Sequence, residues 1–338
     1  MVNMNPKITF QPGARIADKF EVIEYLGEGS LEDDVYIGKQ LDLDRKVTIR
    51  IMPKSLTNDK ESVQRFTQEI RMTASLHHPN ILQTIEQGEY TGRLYFTTAA
   101  EAGTYLNEYL AKTGALEEKQ AVKDVTALAD ALKYAWNTNK ILHRNVKPST
   151  IILTDAGTPI LEDFGMAKSF SDESVGLTMA GVTIGNPQYM SPEQVKGQTD
   201  LDFRSDIYCL GLVFYEMLTS QKAFVAKTDI ALMEAQLKNE PTSVKEINAS
   251  ITDNTIAVLS KMLSKDRYDR QESWEELIDE LNNVDRPKLT IKKEEPKVKA
   301  QPASALSAEQ AKTGTVAIII GVILVLVIIG LIAALLLK

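Results

Sequence analysis

Cysteine is almost missing from this chain: 338 residues contain one, Cys209. That excludes an intrachain disulfide framework and a cysteine-rich zinc site. Its setting, Ile207-Tyr208-Cys209-Leu210, marks it as a small buried hydrophobe. Histidine is nearly as scarce, with three residues of which His77 and His78 are adjacent, so no protein-built metal centre is expected. Positive charge is in deficit, 38 Lys and Arg against 46 Asp and Glu, and the net charge of −8 argues against nucleic acid as a partner. Residues 1–11 are polar and lack the apolar segment of a secretory leader. Long hydrophobic runs are also missing until 316–337, which no charge interrupts. As a helix that run is long enough for a bilayer core of about 30 Å. Ahead of it, Arg286, Lys288, Lys292, Lys293, Lys297 and Lys299 outnumber Glu294 and Glu295, so the positive-inside bias places the N-terminal part in the cytoplasm.

What is present suits a folded protein: 43% hydrophobic and 25% charged residues, enough for one large two-lobed domain or two ordinary ones. Residues 1–19 read as a flexible lead with Pro6, Pro12 and Gly13. Strands are expected over 20–26, 35–38 and 45–51, the first entering the turn Gly27-Glu28-Gly29. Val63, Phe66, Ile70, Met72 and Leu76 trace one face of a helix over 61–76, which His78-Pro79 stops. Strands over 81–86 and 94–98 and helices over 105–112 and 117–138 follow. Ile151-Ile152-Leu153 and Pro159-Ile160-Leu161 form a small hairpin around Asp155-Ala156-Gly157. Residues 163–193 are irregular, a length that inside a domain usually serves function. Residues 207–218 are strongly apolar, a helix buried on nearly all sides, and amphipathic helices occupy 229–238, 252–263 and 274–281. Residues 285–313 have the composition of a linker.

Motifs then appear in order. His143-Arg144-Asn145-Val146-Lys147-Pro148-Ser149-Thr150 resembles the catalytic loop H-R-D-L-x-x-x-N of the bacterial eukaryotic-like Ser/Thr protein kinase family. Asp163-Phe164-Gly165 is similar to its metal-binding D-F-G. Gly185-Asn186-Pro187-Gln188-Tyr189-Met190-Ser191-Pro192-Glu193 resembles the run closing its activation segment, and Ser205-Asp206-Ile207-Tyr208 the start of its buried helix. The resemblance covers about 20–281 and implies an α+β, two-lobed kinase-like fold: a small antiparallel-sheet lobe with one main helix and a large helical lobe. With the apolar run added, the expected layout is a lead (1–19), a kinase-like domain (20–284), a juxtamembrane linker (285–313) and one transmembrane helix (314–337).

The same resemblance assigns the site residues. Gly27, Gly29 and Val35 stand in the glycine-rich loop, but with one extra residue, no third glycine and three carboxylates, Glu32, Asp33 and Asp34. Those carboxylates either oppose nucleotide anions or form an exposed acidic tip. Arg50 replaces the strand lysine and is expected to pair with Glu69. Asn145 replaces the catalytic aspartate and cannot serve as a base. Thr150 stands at a metal-ligand asparagine and Asn186 at a threonine that contacts the catalytic aspartate and lysine. Asp163 remains as the metal ligand; Lys147 meets either phosphate or an ordinary structural partner. His143 and Phe164 fill an internal stack, Asp206 braces the loop, and Arg270 pairs with Glu193. Arg144 either clamps a phosphate on Thr178 or Thr183 of the activation segment or caps local carbonyls.

The expectation from these substitutions is a membrane-tethered pseudokinase acting as a signalling scaffold, not an enzyme. It requires no cofactor, with ATP and Mg²⁺ as optional ligands, and sits in a bacterial inner membrane with its N-terminal domain in the cytoplasm. Its expected partners are another protein kinase or signalling protein and the lipid bilayer, and Ala317, Gly321, Gly330 and Ala334 permit a homodimer through the anchor. Two alternatives stand beside it: a weak or unconventional ATP-dependent Ser/Thr kinase, and a non-catalytic ATP-responsive interaction module.

Overall fold

In the computed structural model, residues 10–286 are described except 30, 165–167 and 170–185, with backbone alone at 168–169. The first half of the fold is a sheet built by alternation of apolar and polar residues. Strands β1 (Arg15–Ile16), β2 (Phe20–Glu28), β3 (Asp34–Gln40) and β4 (Arg45–Ile51) precede helix α1 (Lys60–Ala74); β5 (Thr84–Tyr90) and β6 (Arg93–Ala99) follow it. All pair antiparallel in the order β1-β2-β3-β4-β6-β5. Side chains two apart in a strand share a face, so Phe20, Val22, Tyr36, Val47, Ile49, Ile51 and Tyr95 close one core under Ile16. On the other face Met52 and Phe96 meet Phe66 and Ile70 of α1. The α1 start is capped by Asp59, whose side chain accepts the Ser62 N–H at 3.0 Å.

The larger part follows from β7 (Gly103–Tyr105), α2 (Leu106–Thr113) and α3 (Glu118–Asn139). Lys140, at a left-handed φ of 52°, ends α3 and turns the chain into β8 (Ile141–Leu142). β9 (Ile151–Thr154) and β10 (Pro159–Leu161) form the expected hairpin, β9 also pairing with β7, while β11 (Lys168–Ser169) pairs with β8. Helices α4 (Pro192–Val195), α5 (Phe203–Thr219), α6 (Asp229–Lys238), α7 (Val244–Ile247), α8 (Asp253–Met262) and α9 (Trp274–Asn282) complete it. α5 is buried on nearly every side, from Ser205 to Tyr215 and again from Met217 to Thr219, as an apolar run broken only at Glu216 between Ile207 and Leu218 requires.

Three expectations change. The lead is not flexible up to residue 19: Ile16 is fully buried, and Phe10 packs edge-on against Tyr36 at 5.9 Å. The strand expected at 81–86 begins at Thr84, because Ile81 instead bridges to Leu161. The membrane helix expected over 314–337 lies outside the described residues, as does the linker from 287 onward. Among the described residues no helix is long and apolar enough to cross a membrane. Among the described residues the architecture is therefore corrected to the two-lobed α+β fold alone, with no helix that could span a membrane. The described residues belong to one compact unit, Met1–Lys288.

Candidate active site

The loop after β8 is held by the start of α5. Both carboxylate oxygens of Asp206 accept backbone N–H groups, from His143 and from Arg144, each at 2.8 Å. Two strong backbone bonds fix the path of the loop, including the left-handed φ of 64° at Arg144. Asp206 is nonetheless so deeply buried that its carboxyl is pushed up to about 6, the N–H donors pulling the other way. His143 is fully buried against Phe164, ring centroids 4.6 Å apart. Its Nδ1 accepts the Asn145 N–H at 3.2 Å, so the proton sits on Nε2, facing the Glu162 carbonyl at 3.0 Å. Burial holds this imidazole neutral and lowers its pKa to about 4.

Asn145 does not point idly into the cleft. Its Nδ2 donates to Asp163 Oδ2 at 3.0 Å, so the amide at the base position orients the surviving metal-ligand carboxylate. Asp163 has a left-handed φ of 66°. Thr150 is turned into the loop: its hydroxyl donates toward the carbonyls of Lys147 (2.9 Å) and Asn145 (3.2 Å) and accepts the Lys147 N–H. That hydroxyl serves the loop as a brace. Lys147 lines the cleft and makes no ion pair among the described residues.

Across the cleft, Arg50 on β4 meets Glu69 on α1, Nη1 to Oε1, at 2.6 Å. The expected pair forms, but Arg50 is shared. Asp33 takes its Nε and Nη2 in a bidentate pair, both at 2.7 Å. Burial disfavours the Arg50 cation, yet Glu69 and Asp33 outweigh it and the guanidinium stays charged. Glu69, 1% exposed, is pushed by burial up to about 8 against the pull of Arg50, and its Oε2 finds no partner among the described residues. The three acidic loop residues thus separate. Glu32 is exposed at the turn, Asp33 is buried against Arg50, and Asp34 pairs with buried Arg93 at 2.9 Å.

The cleft between these groups encloses about 450 Å³, within the range of small-molecule sites. Leu26, Gly27, Val35, Thr48 and Ile152 form its apolar end; Arg50, Glu69, Lys147 and Asp163 form its polar end. Gly27, at φ 132°, adopts a backbone that favours glycine and faces open space. Thr98 also lines the cleft, and its buried hydroxyl has no partner among the described residues. Tyr105 donates to Glu162 at 2.8 Å on the same wall. Sequence reasoning passed over Thr98, Tyr105 and Glu162; the cross-strand register of β4 with β6 and of β7 with β9 brings the first two to the cleft, and the Glu162 N–H is tied to the Thr150 carbonyl.

Beyond the loop, Glu193 on α4 and Arg270 form the expected pair, doubly bonded at 2.6 and 2.9 Å and sealed by Ser205. Gln194 ties this corner to the loop by donating to the Arg144 carbonyl at 2.9 Å. Asn186 does not reach Asn145: its side chain caps its own turn by accepting the Gln188 N–H. Thr178 and Thr183 lie outside the described residues, and buried Arg144 Nε has no partner among those described.

Comparison with known proteins adds the rest. A family model described as "Protein kinase domain" matches residues 20–281. The chain is 30% identical over 296 residues to the serine/threonine-protein kinase PrkC of Bacillus subtilis (strain 168), covering 86% of this chain and 45% of that protein. It is 29% identical to the probable serine/threonine-protein kinase PknB of Lactococcus lactis subsp. lactis (strain IL1403), covering 89% and 48%. The chain therefore spans about half the length of these curated relatives. A crystal structure of the Mycobacterium tuberculosis PknI kinase domain matches with TM-score 0.62 and 25% identity over 81% of this chain and 98% of that one. Relatives named as kinases overturn the expectation of a non-enzymatic pseudokinase scaffold and favour the alternative reading. The membrane-bound location, the bilayer partner and the homodimer through an anchor find no support among the described residues, where no helix is long and apolar enough to cross a membrane.

Proposed function

This chain belongs to the protein kinase domain family, and on that footing we propose that it is an ATP-dependent protein serine/threonine kinase with an unconventional, slow active site. The observation carrying this reading is the Arg50–Glu69 pair, formed at 2.6 Å with Asp163 in the same cleft. Phosphoryl transfer requires both the strand–helix ion pair and the metal-ligand carboxylate in place. The residues fit a nucleotide: an apolar slot with one unpartnered hydroxyl, Thr98, leads to a charged end. Asp163 would hold Mg²⁺, and Arg50 and Lys147 would face phosphate. When bound, Mg·ATP supplies the transferable phosphoryl group and the charge that neutralises it.

The transition state of such a transfer is loose, so the protein mainly positions and stabilises charge. Asn145 suits the positioning part. Its Nδ2 steadies Asp163, and its amide oxygen is a hydrogen-bond acceptor for a serine or threonine hydroxyl. What it cannot do is take the proton, which instead leaves on the transferred phosphoryl group. A general base contributes about 10²–10⁴ in rate, so its absence slows the reaction by an amount of that order. The full 338-residue chain is expected to label a generic Ser/Thr protein substrate from radiolabelled ATP with Mg²⁺, and Asp163→Ala should abolish the label. Absence of labelling above the level of Asp163→Ala would refute the assignment.

A further inference from the structure

The glycine-loop hairpin carries an extra residue and puts an acid where a glycine-rich loop would leave space. Its geometry is specific. Asp33 is fully buried and holds Arg50 through both carboxylate oxygens. Its own backbone carbonyl accepts the Gly29 N–H at 2.7 Å, and its Oδ1 also faces the Leu31 N–H at 3.3 Å. A Cβ at Gly29 would run into the Asp33 carboxylate, so the surviving second glycine makes room for the acid. The neighbouring residue fixes the hairpin from the other face. Asp34 pairs with Arg93, which donates to the Met52 carbonyl at 2.6 Å and lies 5.0 Å from the Phe10 ring centroid.

A guanidinium has five N–H donors in a fork that matches a carboxylate or a phosphate equally well. Asp33 engages the Nε–Nη2 edge, the one suited to bidentate anion capture, and Glu69 takes a donor on Nη1. One cation therefore faces two carboxylates.

We propose that Asp33 is an internal anion that competes with nucleotide phosphate for Arg50, and thereby sets the affinity of the cleft for phosphorylated ligands. The proposal rests on the nucleotide site proposed above and specifies which anion that site must displace. It differs from mere acidity of the loop, because Glu32 is exposed and Asp34 is consumed by Arg93.

Calorimetric titration of the full chain with a non-hydrolysable ATP analogue plus Mg²⁺, and separately with adenosine, distinguishes the contributions. Asp33→Asn, which keeps the shape, and Asp33→Ala should each bind the analogue about tenfold or more tightly than the wild type, the effect of releasing a charge-assisted pair. Adenosine affinity should not change. In an Arg50→Ala background, removing Asp33 should bring no gain, since the competed donor is gone. Unchanged or weaker analogue binding in both variants would overturn the proposal, as would an equal gain for adenosine, which signals general opening of the slot. If neither wild type nor variants bind analogue or adenosine, the nucleotide site itself is refuted and this inference with it.

Discussion

Single side chains decide how this site works. The Asn145 amide lies 3.0 Å from Asp163, and restoring a carboxylate there with Asn145→Asp would supply a base. Turnover at saturating Mg·ATP should rise about a hundredfold, the low end of a general-base contribution. The KM for ATP should stay close to that of the wild type, and steady-state kinetics on both proteins check the pair of values. An unchanged kcat would show that the proton is not what limits the wild type. His143 gives a second test at this scale. Its folded pKa, lowered to about 4 by burial, lies below its ordinary 6.5. Between those values the unfolded chain holds a proton that the native one excludes. The resulting stability is complete above pH 6.5 and is lost as pH falls to 4, by up to about 3 kcal/mol. Asp206, raised to about 6, works in the opposite sense. The test is therefore a difference: denaturant unfolding should show wild type losing its advantage over His143→Phe as pH falls from 6.5 to 4.

At the scale of elements, the site depends on a few long-range ties between otherwise local pieces. α5 supplies Asp206 to the loop, α1 supplies Glu69 to β4, and Arg270 locks α4 through Glu193. Removing one partner of a buried ion pair leaves the other charge uncompensated. Arg270→Ala should accordingly cost about 3–5 kcal/mol, read as a lower midpoint in chemical denaturation, whereas replacing both Glu193 and Arg270 by apolar residues should cost much less. Much of this level was legible beforehand. The spacing of Val63, Phe66 and Ile70 marked α1, and the apolar run at 207–218, broken only at Glu216, marked α5, because burial on one face or on all faces leaves different periods. β1 was not legible: Arg15–Ile16 is too short to show a period, and only its antiparallel pairing with β2, Ile16 opposite Phe20, defines it.

For the molecule as a whole, motif order announced the two lobes, and pairs such as Arg50–Glu69 and Glu193–Arg270 followed from it. What the chain did not announce was where adjacent acids go. Asp33 and Asp34 differ by one position, yet Asp33 pairs with Arg50 and Asp34 with Arg93. Nor did altered residues alone decide the class: Asn145 is a lost base, yet its bond to Asp163 leaves it a positioning role. The full chain, given Mg²⁺, γ-labelled ATP and excess protein substrate, puts the central claim to the most direct test as a time course of labelled phosphoserine and phosphothreonine. Slow, linear accumulation that disappears with Asp163→Ala is the predicted result; no accumulation above that of Asp163→Ala would contradict it.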